Sequence, residues 1–148
     1  MADPVLSSLI RIHHLRVKKL KQGIAPYGYV GIMHLIVMYL GRHPGVSQEE
    51  IAGYYSLDKT TVSRDARRLE DMGHIERRTA PENRRQYELY LTETGREMIP
   101  ILEANADRFA DQISQGFTPE EWETLGKMLE RVKANCFPPS APDPEGKA

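Results

Sequence analysis

Residues 47–91 read SQEEIAGYYSLDKTTVSRDARRLEDMGHIERRTAPENRRQYELYL, and this stretch decides the fold. Ser47 and Glu50 have the S-x-x-E spacing of a capping box, so a helix is predicted to start at Gln48. It is short, because Leu57-Asp58 offers a new start and Asp58 is a good N-cap. In this second helix Val62, Ala66 and Leu69 stand at i, i+4 and i+7, one apolar stripe facing a core. Lys59, Thr60, Ser63, Arg64, Arg67 and Arg68 take the other faces. These short hydroxyls and long cations are the groups that reach base edges and phosphates. Gly73, just after Met72, suits the left-handed residue that stops a helix.

Two strands follow at once. Ile75–Thr79 and Gln86–Leu91 both suit extended backbone. The second alternates Tyr87, Leu89 and Leu91 against Gln86, Glu88 and Tyr90. Residues 80–85 between them hold the turn formers Pro81 and Asn83, and Arg84 and Arg85 close the loop. A helix-turn-helix followed by a basic-tipped hairpin is a winged helix. Its second helix is expected in the major groove of double-stranded DNA, and its wing tip at phosphates or in the minor groove.

The stretch resembles the MarR family (multiple antibiotic resistance regulators) of bacterial transcription factors. The resemblance is carried by Ser47-Gln48-Glu49-Glu50-Ile51-Ala52, by Leu57-Asp58-Lys59-Thr60-Thr61-Val62-Ser63-Arg64, by Leu69-Glu70-Asp71-Met72-Gly73 and by Leu91-Thr92-Glu93-Thr94-Gly95-Arg96. The chain departs from the family in one place. The family's wing usually carries an Asp two residues before an Arg, whereas Asn83-Arg84-Arg85 stands here. The ion pair is therefore replaced by an amide that can still accept a hydrogen bond.

The DNA-contacting residues expected from this reading are Ser47, Lys59, Thr60, Thr61, Ser63, Arg64, Arg67, Arg68, Arg77, Arg84 and Arg85. Thr60, Thr61 and Ser63 or Arg64 are assigned near bases, Arg67 and Arg68 to phosphates. One of that last pair has Asp65 or Glu70 as an alternative partner. A lone cationic helix is ordinarily a solvated face. The capped helix before this one, the hydroxyls at its start and the wing after it turn the reading toward DNA. Strand alternation sends Arg77 and Arg78 to opposite faces, so at most one serves DNA and the other pairs with Glu76 or Glu88.

Outside this head, Asp3-Pro4 opens a helix with Leu6, Leu9, Ile10, His13, Val17 and Leu20 at helical spacing, ending near Gly23. Tyr27–Leu40 is apolar nearly all round and is predicted to be one buried central helix. Thr92 or Thr94 caps a long helix ending near Gly116, with Pro100 inside it as a lost hydrogen bond or a kink. Thr118-Pro119-Glu120-Glu121 starts a last helix striped by Trp122, Leu125, Met128, Leu129 and Val132. The terminal helices carry more apolar stripe than one small domain can cover, so a two-fold homodimer is expected. The family resemblance implies the same. The expected organisation is residues 1–23 with 93–136 as a helical dimerisation region, 24–92 as the winged helix, and 137–148 as a flexible proline-rich tail. The fold class is mainly α with a small β-hairpin wing.

The resemblance also implies a small-molecule effector between the dimer helices and the head, with His13, Tyr27, Met33 and Tyr54 as cleft residues. It implies repression as the usual mode, with a dimer selecting a pseudo-palindrome whose half-sites lie one DNA turn apart, roughly 34 Å.

Charge is sorted along the chain, although the net is only −1. Residues 58–85 hold eight Lys+Arg against six Asp+Glu, the first 22 five against one, and residues 93–148 six against eleven. The single cysteine, Cys136, allows no intrachain disulfide and fits a reducing cytoplasm. No secretory signal opens the sequence, and no apolar run approaches the ~20 residues that span a bilayer. The histidines lack metal-ligand spacing, and no phosphate loop, nucleophile elbow or zinc-deaminase motif is found. The chain is therefore expected to be no enzyme and to need no cofactor or metal. Two other classes compete: a winged helix used for protein–protein contact, and a ligand-binding protein without regulation.

Overall fold

Asp3 begins the first helix as its side chain accepts from the Val5 and Leu6 amides at 2.8 and 3.0 Å. The computed structural model describes residues 3–137, with Arg84 by its main chain alone. Helix α1 spans Pro4–Ile24, α2 Met33–Arg42, α3 Gln48–Tyr55 and α4 Lys59–Asp71. Strands β1 (Ile75–Ala80) and β2 (Asn83–Leu91) form an antiparallel hairpin. Helices α5 (Glu93–Ile113) and α6 (Pro119–Cys136) follow. The architecture is mainly helical with one two-stranded wing, as the sequence indicates.

The chain divides into two compact units, Met1–Phe109 and Ala110–Ala148. The first unit has one core. Leu20 and Ile24 of α1, Met33, Ile36, Val37 and Leu40 of α2, Ile51 of α3, Val62, Ala66 and Leu69 of α4, Ile75, Leu89 and Leu91 of the hairpin, and Met98 and Leu102 of α5 all join it. Thus α1 and most of α5 belong to the same packed body as the helix-turn-helix. In the second unit, α6 starts with a reciprocal capping box: Glu121 N–H donates to Thr118 Oγ1 at 3.1 Å, and Thr118 N–H to Glu121 Oε2 at 3.0 Å. No residue of α6 is buried.

Three expectations need correction. The central helix does not run from Tyr27. A short 3-10 turn at Ala25–Tyr27 is followed by Gly28 at φ 75° and Gly31 at φ 55°, and α2 begins only at Met33. Left-handed backbone at both glycines breaks the helical path that the apolar run suggests. The break lets Tyr29 turn inward, where its hydroxyl meets His74 Nδ1 at 2.7 Å. Second, α2 is not buried all round: Met33, Ile36, Val37 and Leu40 are buried, but Leu35, Met38 and Tyr39 only half so. Third, the wing strands reach further than 79 and 86, leaving only Pro81-Glu82 as the turn. Thr79 faces Tyr87 but Ala80 faces Asn83, so the register shifts at the tip.

Thr92 rather than Thr94 starts α5, its hydroxyl accepting from Gly95 N–H at 3.1 Å. The helix is continuous through Pro100, which lacks the amide that would otherwise bond the Arg96 carbonyl. The proline-rich tail lies outside the described residues, apart from Phe137.

Candidate nucleic-acid interface

The local geometry of α4 follows from its cap. Asp58 accepts from the Thr61 amide at 2.8 Å and from the Thr61 hydroxyl at 2.6 Å. These bonds hold the carboxyl of Asp58 below its usual range, the hydroxyl contributing most. The first turn of α4 is thereby fixed, and the Thr61 hydroxyl proton is committed. The stripe Val62, Ala66 and Leu69 is fully buried, and Gly73 stops the helix region at φ 75°. Burial of one face fixes which residues point outward: Lys59, Thr60, Ser63, Arg64, Arg67 and Arg68 are all exposed. A row of hydroxyls and cations is thus carried on a rigid helix whose rotation about its own axis is set by the core.

The remaining expected contacts fare differently. Ser47 is only 4 % exposed, and its hydroxyl accepts from Glu50 N–H at 3.2 Å. It caps α3 and offers no free side chain to DNA, which corrects its assignment as a contact. Arg77 is half-buried and ion-paired with Glu70 at 3.0 Å. The Gln48 amide, turned with its oxygen toward Arg77, accepts from both terminal nitrogens at 3.1 and 3.2 Å. Arg77 therefore ties β1 to α3 and α4 instead of standing out from the wing. Arg78 is the strand arginine that pairs with Glu76, and it also lies over the Tyr90 ring at 4.1 Å.

At the wing tip Arg85 is exposed, and its backbone N–H donates to Asn83 Oδ1 at 3.1 Å. The amide thus braces the wing's main chain where the family's carboxylate usually stands. The Arg84 side chain lies outside the described residues.

The expected effector residues do not share one environment. Met33 is 0 % exposed and belongs to the core, because α2 starts there and turns it inward. Tyr54 sits in an aromatic group with Tyr39 and Tyr55, at ring distances of 5.3 and 4.6 Å. His13 is exposed on α1. Tyr27 borders a cleft with Gly23, Pro100, Ile101, Ala104 and Arg108.

Asp65, expected at most as a partner of Arg67 or Arg68, is a buried acid within α4. It is 0 % exposed. One oxygen, Oδ1, accepts from Arg64 Nε at 3.1 Å and from Arg68 at 3.0 Å. The other, Oδ2, accepts from the Ile32 amide at 2.9 Å. The signal was present: positions 62, 65, 66 and 69 together make the buried stripe, so an acid at 65 announces a buried partner.

The sequence pattern of the MarR family matches residues 33–87. The chain is similar to the uncharacterised HTH-type transcriptional regulator YybA of Bacillus subtilis (strain 168), with 31% identity over 102 residues, 69% of this chain and 68% of that one. It is similar to the crystal structure of MarR, with TM-score 0.80 and 30% identity, covering 90% of this chain and 98% of that chain. A MarR transcriptional regulator from Methanosarcina mazei Go1 shares the fold, with TM-score 0.83 and 24% identity over 92% of each chain.

Proposed function

This chain belongs to the MarR family of winged-helix, DNA-binding transcriptional regulators, and from that premise we propose that it is a homodimeric repressor of a pseudo-palindromic operator. The observation that carries the proposal is the outward row on α4. Lys59, Thr60, Ser63, Arg64, Arg67 and Arg68 are exposed while Val62, Ala66 and Leu69 are sealed in the core. In this reading α4 enters the major groove, with Thr60, Ser63 and Arg64 near base edges and Arg67 and Arg68 toward phosphates. Arg84 and Arg85 of the wing approach the adjacent minor groove.

Two copies supply the two half-sites. The support is the apolar surface that one copy leaves bare: Val5, Leu6, Ile10 and Ile12 of α1, and Met128, Leu129 and Val132 of α6. Residues 1–23 with 93–136 then act as the dimerisation region, and 24–92 as the head. A small molecule seated in the cleft beside Tyr27 would favour a head spacing that fits DNA poorly, so release is a population shift.

The test is selection from random-sequence duplexes, followed by titration of the recovered site at two salt concentrations. Recovery of a pseudo-palindrome with a steep salt dependence is expected. Weak binding that ignores sequence would overturn the reading in favour of a protein–protein module.

A further inference from the structure

The buried acid inside the reading helix is not explained by the row of contacts around it. A carboxylate without exposure is costly unless its charge and lone pairs are met. Asp65 meets them from two directions. Oδ2 takes the Ile32 amide at 2.9 Å, the last turn before α2. Oδ1 takes Arg64 Nε at 3.1 Å and Arg68 at 3.0 Å. Arg64 and Arg68 are four apart, so they lie side by side one turn along the helix. Their side chains remain 53% and 48% exposed although both are tied to a fully buried group. Each guanidinium thus spends one nitrogen on Asp65 while about half of the side chain stays open to solvent.

The link behind the carboxylate is equally exact in its fit. A Cβ on Gly31 would lie 2.3 Å from Asp65 Oδ2, and Gly31 adopts φ 55°. Only glycine leaves room for the carboxylate to reach the Ile32 amide. The arginine forks are therefore referenced, through one side chain, to the main chain at the start of the core helix α2.

We propose that Asp65 is a positioning residue for sequence recognition: it holds the Arg64 and Arg68 guanidinium groups in one pre-set posture on the DNA face of α4. This rests on the DNA-binding reading above. Long arginine side chains lose rotamer freedom when they dock, and a group that fixes them beforehand lowers that cost. The proposal reverses the sign that simple electrostatics gives. Removing a negative charge from a DNA-binding helix should strengthen attraction to any duplex. Removing a positioning carboxylate should weaken binding to the correct duplex most, because Arg64 is the one of the two placed at base edges.

The test compares wild type with Asp65→Asn on the selected duplex and on a scrambled one. The asparagine oxygen can still accept from Ile32, but its amino group faces the arginines donor to donor. The expected result is a loss of about tenfold or more on the selected duplex, the scale of one bidentate arginine–base contact, with scrambled-duplex affinity unchanged or raised. Equal or tighter binding to the selected duplex would overturn the proposal, as would an equal loss on both duplexes. If wild type itself shows no selectivity, the DNA-binding reading fails and the proposal with it. A second measurement does not depend on the variant folding. In the wild-type protein free of DNA, the Arg64 Nε–H should be as restricted as the backbone by NMR relaxation; a freely mobile Nε–H would overturn the proposal.

Discussion

Helices α4 and α6 begin alike and end up in opposite circumstances. Each has a strong N-cap, Asp58 or Thr118, and each carries an apolar stripe at helical spacing. Yet Val62, Ala66 and Leu69 of α4 are sealed, while Met128, Leu129 and Val132 of α6 lie open. Cap and periodicity therefore specify that a helix forms and which face is apolar. They do not specify what covers that face. For α4 the cover is the chain's own core, which leaves the opposite face outward, the face proposed to read DNA. For α6 no residue of the stripe is buried among the described residues, and the proposed second copy would supply the cover.

The largest expected effect separates the two stripes by a single truncation. Leu69→Ala removes a fully buried side chain and should cost about 2–5 kcal/mol in chemical denaturation. Leu129→Ala, 40 % exposed, should cost the monomer no more than about 0.5 kcal/mol. Leu129→Asp should instead weaken self-association in sedimentation while leaving the first unit folded. Comparable stability losses at the two positions would break the contrast.

Next in size is a dependence on pH. Burial, reinforced by the charge of Arg16, holds the His34 imidazole at about 4 rather than 6.5. Between these values the unfolded chain takes up a proton that the folded chain refuses. Stability therefore falls as pH drops below 6.5 and the loss levels off near 4, reaching about 3 kcal/mol. Burial also lowers His74, against the opposing charge of Glu97, and this adds in the same sense. Denaturant midpoints taken from pH 7 to 4 should show the slope, and His34→Gln should flatten most of it. Helix α6 contains no histidine. Its amide protection, corrected for intrinsic exchange, should not share the loss.

Smaller effects distinguish the polar faces. Arg67→Ala should weaken binding to selected and scrambled duplexes alike and reduce the salt slope by about 1. Arg64→Ala should cost selectivity of about 1–3 kcal/mol at one position of the site. Arg131→Ala on α6 should alter neither titration.

The same contrast marks what could be read from the letters. Caps at Asp3, Ser47, Asp58 and Thr118 were legible because a cap is a local bargain between one side chain and the next turn. The stripe of α4 was legible because its period is regular. The start of α2 was not, since an apolar run looks helical until Gly28 and Gly31 adopt left-handed backbone that only tertiary contacts select. Met33 was misjudged for the same reason: composition says apolar, but only packing distinguishes a cleft wall from a core. Ser47 and Arg77 are assigned by residue type alone, and a hydroxyl or a guanidinium beside such residues can be engaged by the fold itself, here by Glu50 N–H and by Glu70. Asp65 was half legible. Its stripe position signals burial, whereas its bond to Ile32, 33 residues away, does not show in the sequence.

The smallest predicted effect turns on the caps themselves. Asp58→Ala and Thr118→Ala each remove a side chain that accepts from a first-turn amide, and each should cost about 1 kcal/mol of helix stability. The two losses should nevertheless be read out differently. Helix α4 shares its core with α2, β2 and α5, so its loss must appear in the global unfolding free energy of the first unit. No residue of α6 is buried among the described residues, so its first turn can open without breaking into the core of the first unit. Thr118→Ala should therefore raise amide exchange at the start of α6 and leave the main denaturation midpoint in place. If the α6 cap instead moves that midpoint as far as the α4 cap does, the two helices are one cooperative unit, and the stripe on α6 has its cover within a single copy.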